Sequence, residues 1–190
     1  MPPSYHIRPA SSALQDGIRI LSFTDSQLPH LASIGSAEQW GTASIASNPA
    51  SQEKYKNLIE RSEKPQSNTW GVNWLQISIL EAEVELETLS DEVRDLVTTT
   101  AEDGKSGRLP IAAMVLEGHS SDYTRPVIPE QDEADPFVYV RFIVTDRRVG
   151  SFSKGSGQIL LEHADGVARA LGIGRLALDG WNGNGGLLVR

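Results

Sequence analysis

Residues 139–161 read YVRFIVTDRRVGSFSKGSGQILL, and this stretch decides how the rest of the chain is interpreted. It opens with β-branched and aromatic residues, which are typical of a strand buried on both faces. A polar loop containing Gly155 and Gly157 follows. Apolar residues then recur every three or four positions from Ile159 to Leu171, as they do along one face of a helix. The sequence therefore predicts a strand, a glycine loop and a helix, in that order.

The junction between this loop and the helix is suited to binding an anion. The first backbone N–H groups of a helix have no partners inside it, and the helix dipole adds partial positive charge there. A phosphate can accept those hydrogen bonds, and glycines let the backbone approach it closely. Lys154 adds a positive charge beside the loop. An ordinary glycine-capped turn gives the same pattern, so the loop alone leaves both interpretations open.

Two common phosphate-binding motifs do not fit, because G-x-x-x-x-G-K-[ST] is absent and Leu160 replaces the third glycine of G-x-G-x-x-G. Instead, the loop KGSGQILL, the preceding strand VRFIVT and the later segment RLALDGWNGN resemble the Gcn5-related N-acetyltransferase (GNAT) superfamily. There, an R/Q-x-x-G-x-G/A loop holds the pyrophosphate of acetyl-CoA through backbone amides. Gly155 and Gly157 match its two small positions, whereas Phe152 stands where Arg or Gln is usual.

The resemblance also implies which residues contact acetyl-CoA. The strand edge around 142–144 pairs with the amides of the pantetheine arm, the loop holds the pyrophosphate, and an asparagine after the next strand meets the cofactor. In this sequence the implied residues are Phe142, Ile143, Val144, Lys154, Gly155, Ser156, Gly157, Gln158 and Asn184.

The fold class that the resemblance implies is α/β (α+β), with a central mixed, mostly antiparallel sheet flanked by helices in a single domain over residues 1–190. The strand at 175–178 is expected to splay from the strand at 142–145 and leave a slot for pantetheine. Family members continue with a tyrosine that protonates the departing thiolate and with two more strands. We therefore expect a chain that lacks the C-terminal part of the fold, and an exposed sheet edge that favours a homodimer.

Local patterns place the remaining elements. Thr24 and Gln27 form a possible capping box for a helix ended by Gly35, and residues 16–23 before it suit either a short extended piece or the approach to that helix. Asn48 and Pro49 cap a second helix. Strands are predicted at residues 5–9, 70–83, 109–117 and 138–145, and a flexible acidic loop at about 118–136.

Composition excludes several functions. The chain has 190 residues, a formal net charge of −8 and no cysteine, which removes disulfides, thiolate metal sites and a cysteine nucleophile. The negative charge argues against nucleic-acid binding, and no apolar stretch is long enough to span a membrane. The histidines show no metal-binding spacing, so no metal is expected. A cytoplasmic enzyme is the default expectation.

The reaction implied by the resemblance is direct transfer of an acetyl group from acetyl-CoA to an amine, and we expect a small-molecule acceptor. Such a reaction needs a base for the ammonium proton and donors for the thioester carbonyl. Glu81 and Glu117 are candidate catalytic residues because they lie near predicted strand ends, as does Asp179, and Tyr139 offers its hydroxyl. The alternative is a non-catalytic acyl-CoA-binding or protein-interaction module with a GNAT-like fold.

Overall fold

The computed structural model describes residues 3–124 and 130–180. A six-stranded mixed sheet lies at its centre, in the order β1-β2-β4-β5-β6, with β3 pairing beside β4. Only β5 and β6 are parallel among the described pairs, so the predicted mixed, mostly antiparallel sheet is confirmed. The strands are β1 (Tyr5–Pro9), β2 (Leu75–Glu85), β3 (Thr99–Thr100), β4 (Ser106–Glu117), β5 (Val138–Thr145) and β6 (Leu176–Leu178).

Helices cover both faces of this sheet. They are α1 (Asp16–Ser33), α2 (Ala37–Trp40), α3 (Pro49–Ser62), α4 (Asp91–Arg94) and α5 (Ser156–Ala170). The apolar sides of α1 and α3 pack on one face, where Phe23 and Ile59 meet Ile77. Helix α5 packs on the opposite face through Leu160 and its neighbours. The apolar residues that recur every three or four positions in α5 therefore form the side of the helix that packs on the sheet, as predicted.

Helix α1 begins eight residues before the predicted capping box. Thr24 lies inside the helix, where its hydroxyl donates to the carbonyl of Ile20, and the amide of Gln27 reaches Thr145 on β5. The capping-box prediction and the extended alternative for residues 16–23 are both wrong, because Ile20 and Phe23 are buried along one side of a continuous helix. The end at Gly35 is confirmed by its left-handed φ of 81°.

Two other predictions concern the edges of elements. Asn48 caps α3 by accepting a hydrogen bond from the amide of Ala50, as expected. Strand β2 begins at Leu75 rather than at residue 70, because a turn at Gly71 precedes it and its carbonyl accepts from the amide of Trp74.

A buried ionic cluster ties β1, α1 and β2 together. The fully buried carboxylate of Asp16 accepts hydrogen bonds from Arg8, from Arg19 and from the backbone of Ser11. Arg8 also pairs with Glu81 on β2, at 2.7 Å between Nε and Oε1. Charges removed from water are tolerated only when they are paired in this way.

We predict that Asp16→Ala lowers the free energy of unfolding by about 3–5 kcal/mol, because it leaves partly buried guanidinium groups without their partner. Asp91→Ala is the matched control: Asp91 also pairs with an arginine, Arg94, but its side chain is 95% exposed. Such an exposed pair contributes at most about 1 kcal/mol. Urea unfolding measures both changes, and equal losses in the two variants would contradict the structural role of Asp16.

Candidate active site

Strands β5 and β6 pair over three positions among the described residues. Val138, Tyr139 and Val140 lie opposite residues 176–178, and beyond Val140 no described strand pairs with this edge of β5. Because the amide of Asp146 donates to Ile111 of β4 and strand groups alternate, the backbone groups of Ile143 point away from β4. Ile143 therefore presents its amide and carbonyl to the space beside this edge of β5, which we call the slot.

The first turn of α5 lies beyond the end of β5. Gly155 is its N-cap residue, with a left-handed φ of 82° and no side-chain cap. The amides of Ser156, Gly157 and Gln158 consequently have no acceptor within the helix. A polar cavity of about 370 Å³ lies beside this loop and is lined by Thr145, Arg147, Gly150, Ser153 and Lys154. Amides without an acceptor within the helix and two cationic side chains suit this region to binding an anion.

Packing within the protein does not require a glycine at 157. A side chain built there meets no described atom within 4 Å. Phe152, at the position where the resemblance leads us to expect Arg or Gln, packs against the core on the α5 face of the sheet. The side chain of Gln158 bonds to Glu162 and that of Ser156 to the carbonyl of Ser153. The loop thus offers an anion its backbone rather than these side chains.

Tyr139 is the middle one of the three β5 residues that pair with β6. Its hydroxyl donates to one carboxylate oxygen of Asp179, directly after β6, and Tyr123 donates to the other oxygen at 3.2 Å. Burial raises the pKa of Tyr139, and the hydrogen bond to Asp179 raises it further. Tyr139 therefore keeps its proton at neutral pH and acts as a hydrogen-bond donor.

Glu117 lies directly opposite Tyr139 in the β4–β5 ladder. Its side chain is 1% exposed, and its Oε1 accepts from Arg141 at 2.9 Å and from Arg61 at 3.2 Å. Its Oε2 is buried and has no hydrogen-bond partner among the described residues. A buried carboxylate oxygen without a donor is costly, and such groups occur preferentially at functional sites.

In the structure Glu81 does not lie near Glu117 and Tyr139. Glu117 lies opposite Leu75 on β2, and Glu81 lies six residues further along that strand, or about 20 Å at the rise of a β-strand. Its contacts with Arg8 and Thr98 indicate a structural role. Asn184 lies outside the described residues.

Sequence reasoning missed Arg61 and Arg141. The signal for Arg141 is a β-bulge: Val115 lies opposite Phe142 and Leu116 opposite Val140, which leaves Arg141 as the extra residue of β5. Strand pairing creates this irregularity, and the periodicity of one strand does not reveal it.

Known structures share this architecture. An acetyltransferase of the GNAT family from Listeria monocytogenes superposes with a TM-score of 0.53 and 16% identity, over 95% of this chain and 78% of that one. A PaiA N-acetyltransferase from Thermoplasma acidophilum, in complex with coenzyme A, gives a TM-score of 0.52 and 19% identity, over 96% and 82%. No protein-family model and no curated protein sequence matches the chain. The protein has the GNAT fold.

The described residues contain no helix of the length and apolar character that crossing a membrane requires.

We predict that Tyr139 makes stability fall at alkaline pH. Because its pKa is raised in the folded state, its contribution is fully present below the unfolded pKa of about 10 and is lost as pH rises towards the folded value. The loss is about 1.4 kcal/mol per pH unit within that window. Urea unfolding at about pH 9 and about pH 11 should show a steeper decline for the wild type than for Tyr139→Phe. Parallel declines would contradict this prediction.

Proposed function

We propose that the protein transfers an acetyl group from acetyl-CoA directly to the amine of a small molecule. The observation that supports the proposal is the edge of β5 that no described strand pairs beyond Val140, together with the amides at the start of α5 that have no acceptor within the helix. Such an edge connects a region that can bind phosphates to a region where the reacting groups can meet.

The cofactor residues act mainly through their backbone in this proposal. The amides of Gly155, Ser156, Gly157 and Gln158 bind the pyrophosphate, with Lys154 supplying positive charge. Along the slot, Ile143 provides the hydrogen-bonding groups for pantetheine, with Phe142 and Val144 on either side of it. Acetyl-CoA supplies the activated acetyl group as a thioester.

Catalysis requires a neutral amine, a donor that stabilises negative charge on the thioester oxygen, and a proton for the departing CoA thiolate. As the C–N bond forms and the C–S bond breaks, the attacking nitrogen loses a further proton, which the thiolate accepts. We assign Glu117 as the base, because its Oε2 has no hydrogen-bond partner among the described residues and Arg61 and Arg141 hold Oε1 in place. A backbone N–H on the slot side of β5 serves as the oxyanion donor. Tyr139 keeps its proton and orients Asp179, which faces the same end of the slot.

The first test concerns the cofactor loop. We predict that Gly157→Glu stabilises the unliganded protein, because glycine is a poor helix former and a negative charge in the first turn complements the helix dipole. The same change places a carboxylate against the phosphates, so the rise in melting temperature on adding acetyl-CoA should disappear.

Gly166→Glu is the matched control for this test. Gly166 also lies in α5, and a side chain built there also meets nothing within 4 Å. This variant should keep the full shift with acetyl-CoA. A wild-type protein without any shift, or a shift that survives in Gly157→Glu, would refute the proposed cofactor site.

The second test concerns the base. We predict that Glu117→Gln lowers kcat for amine acetylation by about 10²–10⁴-fold, the usual contribution of a positioned base, while the shift with acetyl-CoA persists. Release of free CoA measures the rate. Glu81→Gln is the control, because Glu81 is an equally buried carboxylate paired with an arginine but lies away from the slot.

The outcomes of this test separate three interpretations. Loss of kcat only in Glu117→Gln supports the assigned base, whereas equal effects in the two variants would indicate that both residues act through stability. Binding of acetyl-CoA without turnover of any amine would favour a non-catalytic acyl-CoA-binding module.

A further inference from the structure

Arg61 and Arg141 use little of their hydrogen-bonding capacity within the protein. Each guanidinium carries five N–H donors, yet each makes a single described hydrogen bond, and both bonds go to the same oxygen of Glu117. Their side chains are 49% and 30% exposed. Several N–H donors of each guanidinium therefore have no described partner in the protein.

Other arginines of the same chain show the contrast. Arg8 uses Nε, Nη1 and Nη2 on Asp16, Glu81 and a backbone carbonyl. Arg148 makes three contacts with Asp146 and a fourth with Ser22. Such fork-like pairing with a carboxylate is the usual structural use of a guanidinium. The single, shared contact at Glu117 leaves the forks of Arg61 and Arg141 available to a ligand.

The local charge is opposite to that of the protein as a whole. The two guanidinium groups face a single carboxylate, so this cluster carries a net positive charge in a chain with a formal net charge of −8. Arg141 directly follows Val140, the last residue of β5 that pairs with β6. The positive charge thus lies where the slot ends and where an acceptor would meet the acetyl group.

The cluster also has an apolar border. Tyr55 of α3 packs on Phe142, with ring centroids 6.2 Å apart, and Phe142 is the neighbour of Arg141. Aromatic side chains beside a guanidinium limit its contact with water, which strengthens its interaction with an anion.

We infer, building on the proposed function, that the acceptor is a compact amine that also carries an anionic group, a carboxylate or a phosphate, bound by Arg61 and Arg141. The amine then lies towards Glu117. Since both guanidinium groups lie within 3.2 Å of Glu117 Oε1, the sites for the anion and for the amine are adjacent. The two charged groups of the acceptor must accordingly be separated by only a few bonds.

Matched pairs of acceptors test this inference. An α-amino acid is compared with its carboxamide, and phosphoethanolamine with ethanolamine, by the rate of CoA release from acetyl-CoA. The anionic member of at least one pair should have the higher kcat/KM, by about 10-fold or more, the effect expected from losing a hydrogen bond to a charged group. The pair that shows the preference distinguishes a carboxylate from a phosphate.

The variants Arg61→Gln and Arg141→Gln should each reduce this preference towards unity, mainly through KM. Arg169→Gln is the control, because Arg169 pairs with Asp165 on the exposed side of α5. A general loss of stability would lower the rates of both members of a pair and leave their ratio unchanged. Arg61 lies on the surface of α3, so its variant remains informative if Arg141→Gln disturbs the bulge.

The results also separate this inference from the proposed function. If acetyl-CoA binds but the neutral amines are acetylated as well as or better than the anionic ones, the inference is wrong and the proposed function stands. The same holds if the preference for the anionic acceptor survives in both arginine variants. Binding of acetyl-CoA with turnover of neither member of any pair overturns it as well. Absence of acetyl-CoA binding overturns the proposed function, and the inference with it.

Discussion

The end of the described β5–β6 pairing at Val140 is the constraint on which the candidate site depends. The backbone groups along a strand edge need hydrogen-bond partners, and β5 finds them on β6 for only three described residues. The unpaired portion of β5 runs from the bulge at Arg141 to the loop before α5. The proposed cofactor site therefore depends mainly on backbone geometry.

The bulge explains why unlike side chains meet on one face. In a regular strand Tyr139 and Phe142, three residues apart, would point to opposite faces. The extra residue restores them to the same face, because Glu117 lies opposite Tyr139 and Val115 lies opposite Phe142. Arg141 then reaches Glu117 from the bulge. One inserted residue thus brings the ring of Phe142, the guanidinium of Arg141 and the buried carboxylate of Glu117 close together.

The contrast between Glu81 and Glu117 shows what the sequence could and could not predict. The periodicity of α5, the cap at Asn48 and the strand–loop–helix order are local properties, and the sequence predicted them correctly. Both glutamates lie near the ends of the strands that the sequence predicts, so the local pattern cannot separate them. Register separates them, because it places Glu81 beside Arg8 and Glu117 beside the slot. The start of α1 was missed for a related reason: a capping pattern does not reveal whether the helix has already begun.

The two buried carboxylate clusters also differ in how completely they are compensated. Both oxygens of Asp16 accept hydrogen bonds, as a structural ion pair requires. Glu117 keeps one buried oxygen without a described donor, at a cost of about 1–3 kcal/mol. Such a loss of stability is expected at a site that binds a ligand or a proton.

The negative charge of the whole protein does not oppose an anion at this cluster. Salt screens charges in water beyond about 10 Å, so acidic groups on distant surfaces have little effect within the slot. Arg61 and Arg141 lie at the site itself, where both contact the buried carboxylate of Glu117. In such surroundings an adjacent charge outweighs several remote ones, because attraction strengthens as the local dielectric falls. Overall charge therefore describes the surface of this protein, whereas the arginines beside Glu117 determine which acceptor the site favours.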